Sequence, residues 1–202
     1  MKKGTIITLT IVGILVLLLV GGCSFFTSNY NNMVTMEEGI NGAWAQVENQ
    51  YQRRLDLIPN LVETVKGYSD HDSSVFTDVA EARAAAGGVM QMSDELLSDP
   101  EAFARFQEAQ AGLGGALQRL LVTTENYPQL KANEQFLSLQ TQLEGTENRI
   151  SVERQRFNEA VQAYNSHIRK FPQAFIASMF GFDAKQYFEA ESGAESAPKV
   201  SF

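Results

Sequence analysis

A single cysteine, Cys23, rules out an internal disulfide framework, so the fold of this chain stands on its packed core alone. Histidine is nearly absent. His71 and His167 are the full complement, and each has a tyrosine, Tyr68 or Tyr164, where a Glu-x-x-His pair would need glutamate. That excludes the carboxylate-bridged di-metal bundle, whose histidines must sit one turn from a bridging carboxylate. No Gly-x-Ser-x-Gly occurs, and the one thiol lies in an apolar run, so neither common nucleophile arrangement is offered and the chain is read as a non-enzyme. Basic charge is scarce: between Lys3 and Arg53 there is no lysine or arginine. Beyond Lys2 and Lys3, fourteen basic residues face twenty-four acidic ones, a net of −10, which makes nucleic acid and anionic headgroups poor partners. Prolines number five, and none falls between Pro59 and Pro100 or between Pro128 and Pro172.

What the chain has instead is grease at its start. Thr5 to Phe26 is an almost wholly apolar run of 22 residues, about the length that crosses a ~30 Å hydrocarbon core as a helix. Its only basic flank is Met1-Lys2-Lys3, which predicts a single-pass anchor with a cytoplasmic N-terminus and a periplasmic or otherwise extracytoplasmic remainder. A second reading stays open. Val20-Gly21-Gly22-Cys23 has the small residues of a lipoprotein cleavage box, which makes Cys23 a candidate for lipidation and the chain a candidate lipid-anchored protein.

The proline-free spans carry helical periodicity. Ile40, Trp44, Val47, Tyr51, Leu55, Ile58, Val62, Val65 and Tyr68 recur at three- and four-residue steps. Phe136, Leu139, Leu143, Thr146, Ile150, Arg154, Phe157, Val161, Tyr164, Ile168 and Phe171 do the same further on. Phe103, Phe106, Gln110, Leu113, Leu117, Leu120, Thr124 and Tyr127 form a third stripe, and Val79, Ala82 and Ala86 belong to a shorter one. Strand alternation is nowhere comparable. Ser98 or Asp99 before Pro100 reads as a helix start, Gly87-Gly88 as a helix end, and Tyr127-Pro128 as a break. Pro59 sits inside the first stripe, and a kink is expected there because the stripe continues beyond it. Four amphipathic helices with short connections bury their faces against one another. The expected fold is therefore all-α, an antiparallel four-helix bundle with long first and last helices, preceded by the N-terminal anchor. The expected divisions are an anchor over residues 1–30, a bundle over 31–182 and a flexible C-terminal tail over 183–202.

Several stretches carry a family resemblance over nearly the whole chain. Ala43-Trp44-Ala45-Gln46-Val47-Glu48-Asn49-Gln50-Tyr51-Gln52-Arg53-Arg54, then Asp56-Leu57-Ile58-Pro59-Asn60-Leu61-Val62, resemble the LemA family of bacterial envelope proteins. So do Glu81-Ala82-Arg83-Ala84, Tyr127-Pro128-Gln129-Leu130-Lys131, Glu147-Asn148-Arg149-Ile150 and Tyr187-Phe188-Glu189-Ala190. The resemblance implies a membrane anchor and an extracytoplasmic helical bundle; it implies no activity, metal or cofactor.

Charge near the core is the remaining signal. Arg54 adjoins the first stripe and Arg154 lies within the last, with Glu48, Glu147 and Glu153 available as partners, so an interhelical ion-pair cluster is expected. Such a cluster fixes helix register or lines a groove for a partner. Asp70-His71-Asp72 reads as a solvated turn. Trp44 fits the core stripe, with a partner contact as the alternative. Gly112, Gly114 and Gly115 suggest a hinge or fraying. Phe175, Ile176, Met179, Phe180 and Phe182 predict a short helix closing the bundle end. From Asp183 the chain turns polar; the alternative to a flexible tail is that Phe202 and its carboxylate enter the groove of an envelope protease or chaperone by strand addition. The functional expectation is a membrane-anchored, non-enzymatic adaptor or scaffold with envelope protein partners. The alternative is a peptide- or small-ligand-binding sensor using a groove near Arg54 and Arg154.

Overall fold

The structure, a computed structural model, describes residues 3–68, 73–90, 96–97 and 99–189. Among these residues there is no strand, and the fold is all-α. The elements are α1 (Lys3–Lys66), α2 (Ser73–Met90), α3 (Pro100–Thr123), a 3-10 turn (Thr124–Asn126), α4 (Pro128–Lys131), α5 (Glu134–Ile168) and α6 (Gln173–Phe180). Asp70, His71 and Asp72, the expected turn, lie outside the described residues.

Helix α1 runs for 64 residues and crosses residue 30 without interruption, so the apolar segment and the first amphipathic stripe are one helix. Nothing between them breaks the backbone: there is no proline before Pro59, and Asn29 and Thr35 donate their side chains to the carbonyls of Phe25 and Asn31 within the helix. Leu9 to Val20 leave their large side chains exposed, and this helix alone among those described is long and apolar enough to cross a membrane.

Pro59 stands inside α1 and the helix continues past it. A proline there removes the N–H that would reach the Leu55 carbonyl. Arg83 of α2 replaces it, its Nε donating to that carbonyl at 3.0 Å. Beyond the proline the buried face runs from Ile58 to Leu61 and Val65; Val62, expected in the stripe, is half-buried, and Tyr68 is exposed.

Helix α2 does not end at Gly87-Gly88 but reaches Met90. A Cβ on Gly87 would meet Leu55 Cδ1 at 3.8 Å, so the bare backbone lies against α1. Asp99 caps α3, accepting from the Glu101 N–H at 2.9 Å, with Pro100 at the first helical position. Helix α3 continues through its three glycines, and Leu113, Ala116, Leu117 and Leu120 on the same stretch are buried. Helices α2 and α3 pack on each other. Asn133 caps α5 by accepting from the Phe136 N–H.

The chain forms two compact units, residues 1–41 with 160–184 and residues 42–159 with 185–202. In the first, Met33, Ile40, Val161, Tyr164, Ile168 and Ile176 are buried, and Tyr30 meets Phe180 and Phe182 edge-on, at 5.0 and 5.5 Å between ring centroids. Helix α6 ends in a left-handed Gly181 at φ 73°, whose cap lets the Phe182 N–H reach the Ala177 carbonyl. In the second unit, α1, α3 and α5 supply an aromatic core, and α2 lies against α1 through Arg83 and Gly87.

Candidate functional site

The second unit contains a layered arrangement of aromatic rings and charge. Trp44 lies within 6.0 Å, centroid to centroid, of Phe103, Phe106, Phe157 and Phe188. Three of these rings meet it tilted or edge-on, and Phe188 stacks on it at an interplanar angle of 18°. Each such pair contributes roughly 0.5–1.5 kcal/mol beyond area burial. Trp44, a candidate partner contact in the sequence, is therefore core: its indole faces are covered by the chain's own rings, and its Nε1 has no hydrogen-bond partner.

Phe188 falls in the stretch expected to be a flexible tail, and it does not behave as tail. Its side chain is buried, and its backbone is held at both polar atoms by one side chain: the Phe188 N–H donates to Asn158 Oδ1 and Asn158 Nδ2 donates to the Phe188 carbonyl, each at 2.9 Å. The Glu189 N–H donates to Gln107, and Arg154 donates to the Glu189 carbonyl at 3.1 Å. The Arg154 guanidinium sits 4.6 Å from the Phe188 ring centroid. An extended segment with no ladder neighbour thus has its backbone satisfied by side chains. Residues 190–202, Phe202 among them, lie outside the described residues, as do Ser196 and Lys199, a Ser-x-x-Lys spacing that sequence reasoning passed over.

Arg54 is the buried charge. It is 4% exposed, and its Nη1 bonds both Glu147 oxygens at 3.0 and 3.3 Å, joining α1 to α5. Its Nη2 bonds the backbone carbonyl and the side-chain oxygen of Gln110 on α3, and its guanidinium lies 5.1 Å from the Tyr51 ring centroid. Gln110 and Tyr51, read only as stripe members, are the unforeseen parts of this clasp. A buried hydrophilic position inside an apolar stripe was the available signal.

The other expected members go elsewhere. Arg154, two turns beyond Glu147 on α5, holds the Phe188 segment instead of a carboxylate, because the nearest demand for donors is the Glu189 carbonyl. Glu153 pairs with Arg156 on its own helix at 2.8 Å. Glu48 lines an open cleft of about 670 Å³ together with Asn49, Gln52, Leu55, Arg83 and Gly87, and neither Arg54 nor Arg154 belongs to that lining. Arg54 and Glu147 are brought together; Arg154, Glu153 and Glu48 are not joined to them.

A helical core closed by its own tail segment, carried on a helix with an exposed apolar end, defines a membrane-associated helical protein. Comparison with known proteins agrees. Residues 43–202 match the model of the LemA family. The chain is 29% identical to the magnetosome protein MamQ of Magnetospirillum gryphiswaldense over 90% of its own length and 72% of the relative's. It is likewise 29% identical to magnetosome proteins MamQ 1 and MamQ 2 of Paramagnetospirillum magneticum, over 83% of this chain and 67% of each relative. The chain belongs to the LemA family.

Proposed function

We propose that this chain is a non-enzymatic adaptor or scaffold of the bacterial cell envelope, held by one N-terminal span with its helical units outside the cytoplasm. The observation that carries the reading is the closure of the charged core: Arg54 is clasped by Glu147 and Gln110, and Arg154 by the chain's own Phe188 segment. Interior charge spent on intramolecular bonds leaves binding to the surface. The orientation is supported by the basic residues Lys2 and Lys3, which flank only one end of the apolar run. Relatives named as magnetosome proteins support the membrane association on which this reading rests.

Three experiments test it. Protease added to intact spheroplasts is expected to destroy the Trp44-containing portion; survival until permeabilisation would reverse the orientation. Intact mass of the purified chain is expected to retain Met1, whereas a chain starting at a diacylated Cys23 would replace the span with a lipid anchor. Crosslinking in the native envelope followed by mass spectrometry is expected to join surface residues to protein partners. A sensor reading finds its support in the cleft lined by Glu48, Gln52 and Arg83, and peptide protection of that cleft in hydrogen exchange would favour it over the adaptor.

A further inference from the structure

Helix α6 is apolar on both of its faces. Gln173 and Ser178 are its only polar side chains, and Ile176 and Ala177 are buried within the first unit. The opposite side is equally greasy and has no cover: Phe171 is 90% exposed, Phe175 59%, Met179 56% and Phe180 53%. Phe175 and Met179 stand four residues apart on the helix and so share one face, and Phe171 lies in the turn just before it. A short helix apolar all round is at home only inside a core or in lipid.

The surroundings point to lipid. Tyr30, which meets Phe180 and Phe182 ring against ring, stands one turn beyond Phe26, where the apolar run of α1 ends. Phe25 and Phe26 are themselves exposed, and Phe26 and Tyr30, four residues apart on α1, share a face, so the apolar end of α1 leads into the contact of Tyr30 with Phe180 of α6. If Thr5 to Phe26 spans the bilayer, Tyr30 falls at about the depth where Tyr and Trp belts form, and the rings it touches are at that depth too. Arg169 and Lys170, both exposed, precede Phe171 and are placed to reach lipid phosphates while their neighbours enter the acyl boundary.

We infer that α6 is an interfacial helix: its exposed face of Phe175 and Met179, with Phe171 in the turn before it, lies in the acyl boundary of the same leaflet from which α1 emerges. This rests on the reading of α1 as a membrane span. The full chain therefore has two membrane contacts, one that crosses and one that lies flat. Its net negative charge does not oppose this, since the contact is apolar and the charges that lead into the helix, Arg169 and Lys170, are basic.

The test places single tryptophans in the full chain, reconstituted in phosphatidylcholine vesicles whose acyl chains carry bromine either near the headgroup or near the chain end. The parent, with buried Trp44 alone, sets the baseline. Leu17→Trp is expected to be quenched most by bromine near the chain end, and Phe175→Trp most by bromine near the headgroup. If Leu17→Trp is quenched while Phe175→Trp matches the parent, the interfacial helix is wrong and the span stands. A blue-shifted but unquenched Phe175→Trp means that protein covers the face, which also overturns the inference. Failure of Leu17→Trp to quench removes the span and the inference together. Met179→Trp repeats the measurement should Phe175→Trp misfold.

Discussion

Arg54 separates two effects that are usually confounded, the worth of an ion pair and the cost of half of one. Replacing both members of a buried pair by apolar residues tends to be neutral, whereas removing one member leaves the groups it served without a partner. Arg54→Met leaves Glu147 to water but takes the donor from the buried Gln110 oxygen, and is expected to cost about 1–3 kcal/mol. Glu147→Ala strands the guanidinium; because Glu147 is 45% exposed and water can enter, the expected loss is about 1–3 kcal/mol in denaturant unfolding. Tyr164 gives a second test. Burial, then the negative charges of Glu37 and Asp183, push its hydroxyl up from 10.0 to about 12. The unfolded chain thus loses this proton before the folded one does. The contribution of Tyr164 to stability is full below pH 10.0 and is lost as pH rises toward about 12. The melting temperature is expected to fall across that window, and Tyr164→Phe to flatten the fall.

At the level of helices, the contact between α1 and α2 depends on a missing hydrogen atom. Pro59 leaves the Leu55 carbonyl without its helical donor, and Arg83 supplies one. Arg83→Ala is expected to cost about 1 kcal/mol, and the same substitution in a Pro59→Ala background to cost less, since residue 59 then has its own N–H for Leu55. Equal costs in the two backgrounds would separate the two residues. The helices themselves were legible in the sequence because three-and-four spacing survives in nearly every stripe: Phe103 through Thr124 and Phe136 through Ile168 are buried almost as read. Their ends were less so. Gly87-Gly88 looked like a stop although α2 runs on to Met90, and the run beyond Phe26 looked like a boundary although nothing in it interrupts a helix. Local propensity marks where a helix can stop, while packing decides whether it does.

Across the whole chain, the largest surprise was the return of the C-terminal segment into the core. Composition made residues from Asp183 onward look unable to offset their ordering entropy, an argument from averages. One residue escaped it. Phe188 adds its ring to four others, and no periodicity in Asp183 to Glu189 announces that; the pocket exists only once α1, α3 and α5 have assembled. The clasp of Arg54 was half legible for the same reason: its charges were visible in the sequence, while Gln110 was visible only as a stripe member and not as a partner. Phe188→Ala is expected to cost about 3–5 kcal/mol. Emission from Trp44, the only tryptophan, should shift to the red as its stacked cover leaves, and an unshifted spectrum would mean that the ring contributes little.

Asn158 gives this docking a chemical fragility. One amide serves as both acceptor and donor to the same residue, and no other side-chain type of that length offers both. Deamidation to aspartate exchanges the donating NH2 for oxygen and sets a carboxylate against the Phe188 carbonyl. Ageing of a single side chain would then turn a latch into a repulsion, and Asn158→Asp should release the segment with every aromatic ring intact.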